Sequence, residues 1–147
     1  MKAVVQRVKE ASVSVDNTVC GEIQRGILVY IGFDIDDNES DINWMVNKIP
    51  YLRIFSDEKG LMNLSVIDLN YDILVISQFT LLGDCKRGRR PSYSRAAKPD
   101  VANKMYKKFL ELLKESGLKV ESGIFQAHMN VTYNNDGPIT IIIDSKE

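Results

Sequence analysis

Two short runs, RGILVYIGF (25–33) and YDILVISQF (71–79), are apolar almost without interruption and rich in β-branched residues. Runs of this length and kind read as buried strands rather than as amphipathic helices. A third, ITIIID (139–144), carries the same pattern through Ile139, Ile141, Ile142 and Ile143. What precedes it is unusual. Gly137 is the most permissive residue and Pro138 the most restricted, and Pro138 has no N–H to give to a sheet ladder.

The other elements are weaker but readable. Ala11, Val13 and Val15 alternate with Ser12 and Ser14, a half-buried strand that ends at the turn Asp16-Asn17. Asn38 or Ser40 can cap a helix whose apolar face is Ile42, Met45, Val46 and Ile49, with Pro50 ending it. YLRIFSDEKGLMNLSV reads as short extended pieces around Lys59-Gly60. Pro99 suits the first turn of a second helix with the stripe Val101, Met105, Phe109 and Leu112, flanked by Ala102, Tyr106, Leu110 and Leu113. Gly117 can stop it. The remainder, LKVESGIFQAHMNVTYNNDGPITIIID, holds two or three strands. Two main helices and many strands, not in βαβ order, predict an α+β fold with an antiparallel or mixed sheet, curled into a barrel-like form.

At 147 residues the chain is expected to form one domain, residues 1–147. A chain of that size buries roughly 68–70% of its unfolded surface and needs no staples. Cys20 and Cys85 lie far apart and form no CxxC pair, which argues against a disulfide scaffold or a zinc site. Charges break every apolar run in MKAVVQRVKEASVSV, so no signal-peptide core is evident. The apolar stretch Ile27–Phe33 is far shorter than the ~20 residues that span a bilayer. A cytoplasmic location without membrane contact is the expectation. The net charge of −1 excludes a global basic field, so any nucleic-acid contact must come from a local patch.

Candidate chemistry is sparse. His128 is the single histidine, and its alternation with Asn130 and Thr132 predicts a solvent-facing strand residue. A Ser-His-Asp arrangement would have to use it. No carboxylate cluster has metal-ligand spacing, and neither a P-loop nor GxGxxG follows a strand, so no metal and no cofactor are expected. SQFTLLGD closes the second buried strand and places Ser77, Gln78 and Thr80 at its end, either as groups of a cleft or as local backbone partners. Five of the ten residues from Lys86 to Arg95 are basic: Lys86, Arg87, Arg89, Arg90 and Arg95. They form either a solubilising loop or a site for a polyanion. Asn135-Asp136-Gly137-Pro138 is either a β-turn or a cis Gly-Pro bond lining a pocket.

SQFTL (77–81) together with NDGPIT (135–140) resembles the D-aminoacyl-tRNA deacylases, long called D-tyrosyl-tRNA deacylases. The opening strand, YLRIFSDEKGLMNLSV, RGRRPSYS and GIFQAHMNV are similar as well, so the resemblance covers nearly the whole chain. It implies a homodimer that hydrolyses the ester joining a D-amino acid, or glycine, to the 3′-terminal adenosine of tRNA. It implies catalytic roles for Ser77, Gln78, Phe79 and Thr80, with backbone N–H groups near Gln78 and Phe79 holding the oxyanion. Substrate contacts fall to Met129, Asn135, Gly137 and Pro138, the Gly-Pro pair being cis and reaching into the partner subunit's pocket to reject L-amino acids. Lys86, Arg87, Arg89 and Arg90 are expected to meet tRNA. Gln126, where the family often has glycine, and His128, where an acidic or other polar residue is common, depart from the pattern. Two readings compete with an enzyme: a tRNA- or nucleotide-binding module without catalysis, and a dimeric structural protein.

Overall fold

The computed structural model describes residues 1–147. Its organising element is β1 (Lys2–Val15), which has partners along both edges. β3 (Gly26–Gly32) pairs with Lys2–Val8 and β2 (Thr18–Ile23) with Ala11–Val15, both antiparallel. β8 (Asn130–Asp144) runs antiparallel along the other edge, from Ser14 back to Lys2. β6 (Asp72–Ser77) adds to β3 and β7 (Val120–Ser122) to β6, both parallel. The result is one mixed sheet of six strands. A small hairpin, β4 (Phe55–Ser56) with β5 (Met62–Leu64), stands apart.

The β1 sequence explains the curl. Ala3 and Val5 enter the larger core cluster, whereas Val8, Ala11 and Val13 enter the smaller one. Strict alternation cannot put both Val8 and Ala11 on one face. The phase slips at Lys9-Glu10, where the β1–β8 register also shifts. An extra residue of this kind bends a strand and increases its twist. β3 and β6 explain the unbroken apolar runs. Ile27, Val29, Ile31, Ile73 and Val75 face the larger core, and Leu28, Leu74 and Ile76 the smaller. Strands buried on both faces have no polar position to spare.

Helix α1 (Glu39–Lys48) starts at Asn38, whose side chain accepts from the Ser40 N–H, while Asp41 reaches back to the Asn38 N–H. Ile42, Met45 and Ile49 are buried and Val46 partly so. Pro50 falls in a single 3₁₀ turn, Ile49–Tyr51, that follows the helix. Helix α2 (Val66–Leu69) is one turn. Helix α3 (Pro99–Lys114) has proline in its first turn, and Gly117 lies beyond its end at φ +80°.

Three expectations need correction. The parallel pairs make β3–α1–β6 and β6–α3–β7 crossovers, so βαβ order is present after all. Long irregular stretches on either side of β6 disguise it in the sequence. The buried face of α3 is Ala102, Tyr106, Phe109 and Leu113, and Val101 is exposed. Of the isoleucines in ITIIID only Ile143 is buried, and Ile142 is 77% exposed. β8 pairs with β1 alone, so one edge and part of one face have no cover in the single chain.

The two ends of the chain meet beside α1. The Met1 α-ammonium donates to Asp37 Oδ1 at 2.6 Å and to Ser145 Oγ at 2.7 Å. Ser145 Oγ–H and Lys146 Nζ donate to the Asp41 carboxylate at 2.7 and 2.8 Å. Burial alone would raise the Asp41 carboxyl. The hydrogen bonds from Lys146, Ser145 and the Asn38 N–H, with the Lys146 charge, outweigh burial and bring it from 3.8 to about 2. A depressed carboxyl stabilises the fold above its unfolded value and loses that contribution as pH falls through the folded one. Asp41 therefore contributes fully above about pH 4 and not below about pH 2. Asp41→Asn is expected to lower stability at pH 7 by about 1–3 kcal/mol and to flatten the acid limb of a denaturant-midpoint-versus-pH curve.

Candidate active site

β6 ends at Ser77, and the chain turns at once into a 3₁₀ turn, Phe79–Leu82. The turn is anchored to the sheet below it. The Gln78 N–H donates to the Ile31 carbonyl at 2.8 Å, and the Leu81 N–H to the Gln78 carbonyl at 3.3 Å. The expected oxyanion donor at Gln78 is thus already engaged. Phe79 and Thr80 open the turn, where N–H groups lack partners within the helix itself. The Gln78 side-chain amide donates to Thr80 Oγ1 and fixes that hydroxyl.

Above this turn lies a cavity of about 720 Å³, within the usual range for small-molecule sites. Ser77, Gln78 and Phe79 form one wall, and Lys98, Pro99 and Ala102 at the start of α3 form another. Tyr93 leans on Phe79 edge to face, with ring centroids 5.1 Å apart, and both rings are substantially exposed. The segment 125–129 completes the enclosure, Phe125 resting on Tyr106 at 5.8 Å. The buried Tyr106 hydroxyl donates to the Val75 carbonyl at 2.9 Å and ties α3 to the strand beneath. Burial pushes its pKa well up, so it remains a donor at any ordinary pH.

Met129 lines the cavity and sits on Gly123, where a Cβ would overlap its sulfur. Gln126 also lines the cavity and holds φ +63°, a left-handed conformation that glycine adopts without strain. His128 is exposed at the rim and hydrogen-bonds to no carboxylate, so the parts of a Ser-His-Asp relay do not meet. No group of three or more His, Cys, Asp or Glu side chains is placed to hold a metal ion.

Ser77, Gln78, Phe79 and Met129 are thus brought together, with Thr80 beside them. Asn135, Gly137 and Pro138 are not. They lie inside β8, away from the cavity of their own chain, and the Gly137-Pro138 peptide is cis. Here β8 bulges from β1 rather than reversing direction. Asn135 Nδ2 donates to the Arg7 and Ile139 carbonyls, both at 3.0 Å, and so braces the bulge. Arg7 Nε donates to the Asp136 carbonyl at 3.2 Å and Nη1 to the Ile54 carbonyl at 2.8 Å. Gly137 and Pro138 themselves are exposed. Arg7 was missed in the sequence, as were Lys98 and Phe125. One arginine in an alternating strand looks like a solvent residue, and the Ile54 and Asp136 carbonyls that hold it are 47 and 129 residues away.

Lys86, Arg87, Arg89 and Arg90 are all exposed and make no ion pair. Their loop is pinned at its base by paired backbone bonds between Asp84 and Ser92. Arg95 is different: it is committed to Asp34 and Asp36 at 2.5 and 2.9 Å.

A cavity at the end of a parallel strand, mostly apolar and with Lys98 at its wall, suits a ligand with an apolar part and a negative charge. The comparisons specify the class. The residue pattern of the family described as D-Tyr-tRNA(Tyr) deacylase matches residues 4–144. A D-aminoacyl-tRNA deacylase from Thermotoga petrophila is 56% identical over 147 residues, covering 100% of this chain and 99% of that protein. One from Thermosipho africanus is 53% identical with the same coverage. A solved structure titled c-Myc DNA Unwinding Element Binding Protein superposes with a TM-score of 0.92 at 41% identity, covering 98% of each chain. A probable eukaryotic D-amino acid tRNA deacylase shares the fold, with a TM-score of 0.84 at 19% identity over 97% of each chain. The chain belongs to the D-aminoacyl-tRNA deacylase family, enzymes that hydrolyse aminoacyl-tRNA.

The wall of the site depends on the missing Cβ at Gly32. A methyl there would lie 2.7 Å from the Gln78 carbonyl and 2.6 Å from Leu82 Cδ2. The Gln78 backbone would have to move. Gly32→Ala is expected to lower stability by about 1–3 kcal/mol. It should also reduce kcat by at least tenfold in protein that is still folded, as judged by melting and by rate at saturating substrate.

Proposed function

We propose that this protein hydrolyses the ester of D-aminoacyl-tRNA, and of glycyl-tRNA, and that the Gly137-Pro138 backbone of a second subunit closes the site against L-amino acids. The observation that carries this reading is the separation of two devices. One chain holds a cavity walled by Ser77, Gln78 and Phe79, with Thr80 beside it, while its Gly137-Pro138 bulge is braced, exposed and outside that cavity. A homodimer built on the uncovered part of β8 would bring the two together. Exposed Ile142 favours such a partner.

In the reaction, water attacks the ester carbonyl and the Phe79 and Thr80 N–H groups hold the oxyanion. The carbonyl reforms as the C–O bond to the 3′-terminal ribose breaks. The ribose oxygen takes the proton that water gives up, and the products are the free D-amino acid and tRNA with a 3′-hydroxyl. No side chain at the site has the geometry of a general base. The neighbouring 2′-hydroxyl of the terminal adenosine serves as proton carrier, and Thr80 positions. A rigid backbone wall excludes any L side chain whatever its chemistry, whereas a pocket reading single methylenes discriminates by only about 1–3 kcal/mol. Glycine has no side chain to reject. The exposed cations Lys86, Arg87, Arg89 and Arg90 hold tRNA phosphates, and the name of the structural neighbour that binds DNA is in keeping with such contacts. A cytoplasmic setting follows from the substrate, and no helix here is long and apolar enough to cross a membrane.

The test is ester loss from D-tyrosyl-, L-tyrosyl- and glycyl-tRNA side by side. D and glycyl esters should be lost and the L ester spared, whereas tRNA binding without ester loss would make this a binding module. In Gly137→Ala the new methyl meets Arg7 Nη2 at 3.0 Å and the residue must hold φ +118°. Discrimination between D and L esters is expected to fall at least tenfold, and unchanged rejection of the L ester would remove Gly137 from the filter. Thr80→Val keeps the backbone N–H and removes only the positioning hydroxyl, so kcat should fall by about tenfold, the scale of one lost hydrogen bond, leaving turnover measurable. Complete loss with binding intact would instead make Thr80 the nucleophile.

A further inference from the structure

The charge of the chain is divided sharply along its length. Ten of the nineteen basic residues, but only two of the twenty acidic ones, fall between Lys86 and Lys114. That stretch carries +8 and the remaining 118 residues −9. The basic loop accounts for half of those cations. The rest, Lys98, Lys104, Lys107, Lys108 and Lys114, belong to α3 and its cap. Lys104, Lys107 and Lys108 project opposite the buried face of Ala102, Tyr106, Phe109 and Leu113, and all five lysines are exposed.

Nothing in the chain neutralises them. No ion pair involves any of the five, and Glu111, three and four residues from Lys108 and Lys107, pairs with neither. Lys104 and Lys108 are four residues apart and Lys104 and Lys107 three, spacings at which like charges repel along a helix. A solvated helix face more often mixes signs.

We propose that the outer face of α3 binds the phosphate backbone of the tRNA duplex that adjoins the aminoacylated 3′ end. The inference rests on the deacylase reading for its choice of nucleic acid. Its geometry is that of the cavity, because α3 begins at the cavity wall. Lys98 and Pro99 line the cavity, and the cations then continue away from it for about 24 Å to Lys114 at 1.5 Å per residue. The chemistry distinguishes duplex from single strand. Proteins hold unpaired bases on aromatic platforms, and of the exposed rings Phe79 and Tyr93 are at the cavity, while Trp44, Tyr51 and Tyr133 lie on elements other than α3. The outer face of α3 has no aromatic residue and offers only point charges. Those suit a backbone read by its phosphates. The negative remainder of the molecule would orient the approach so that α3 and the basic loop face the RNA.

The experiment compares wild type with K104Q/K107Q/K108Q. Binding of uncharged tRNA, and of a single-stranded oligonucleotide with the tRNA 3′ sequence, is measured against salt. Neutralisation relieves repulsion along the helix, so the melting temperature should not fall. For tRNA, the slope of log Kd against log salt should become shallower by about two to three, with affinity at low salt down at least tenfold. The oligonucleotide should bind as it does to wild type, and K59Q, a lysine on the distant hairpin, should change neither slope. An unaltered tRNA slope would overturn the proposal. Equal losses on tRNA and oligonucleotide would overturn the assignment to the duplex. Because the readout is binding, the proposal is decided even if D-aminoacyl esters of both RNAs survive wild-type enzyme. That result would reject the deacylase reading alone.

Discussion

The ladders of β1 are the interaction on which the rest of this structure depends. A strand has two edges, and β1 uses both over most of its length, to β8 on one side and to β3 and then β2 on the other. That arrangement joins the first and last strands in the sequence and leaves the chain ends clasped beside α1. It also decides where the irregularities fall. A strand paired on both edges cannot take an extra residue without disturbing a neighbour, so the slip at Lys9-Glu10 in β1 and the bulge through Asp136–Ile139 in β8 follow one another along the ladder, on either side of the Val8–Asn135 pair. Opposite the bulge stands Arg7, which ties the Asp136 carbonyl to the Ile54 carbonyl of another layer. The exposed Gly-Pro element is therefore a consequence of sheet pairing with an arginine brace, not a free loop.

The cavity is built by the opposite means, close packing rather than interruption. β3 and β6 run in register and are buried on both faces. Their ends, Gly32 and Ser77, present backbone to the site. A side chain at Gly32 would push the 3₁₀ turn off its anchor on the Ile31 carbonyl. Rigid backbone at a site suits chemistry that needs fixed N–H donors and no titrating side chain. The one histidine lies at the rim and meets no acid, which fits a substrate ester that is already activated.

Much of this was legible in the sequence, for identifiable reasons. The β3 and β6 runs announced themselves because burial on both faces removes every polar position. The Asn38 cap and Pro99 marked helix starts because each residue satisfies or removes an N–H that the helix leaves open. SQFTL stood out because polar residues at the end of a buried strand need an explanation. What escaped notice depended on distance along the chain. Crossover order was hidden by the hairpin region after α1 and by the basic loop after β6. The role of Arg7 depends on carbonyls remote in sequence. Ile142 passed for a core residue because hydropathy cannot tell a face covered by the same chain from one left for another. Val101 passed for core because a stripe at helical spacing fixes the period but not the rotation of the buried face.

The uncovered part of β8 and the basic face of α3 carry the same logic to larger scale. Each is a surface that the folded single chain does not satisfy: exposed isoleucine on a strand with one free edge in one case, unpaired lysines at repelling spacing in the other. The two differ in what can satisfy them. Apolar strand surface is relieved by burial against a surface of like kind, and the second subunit of the proposed homodimer would supply that directly. Clustered ammonium groups are relieved by anions spaced along a line, and no stretch of this chain offers that many free carboxylates in a row. The cavity adjoins the second of these surfaces, since α3 starts at its wall, whereas the Gly-Pro element of β8 lies away from it. A protein copy on the β8 side and a nucleic acid along α3 can therefore occupy the molecule together without competing for the same residues.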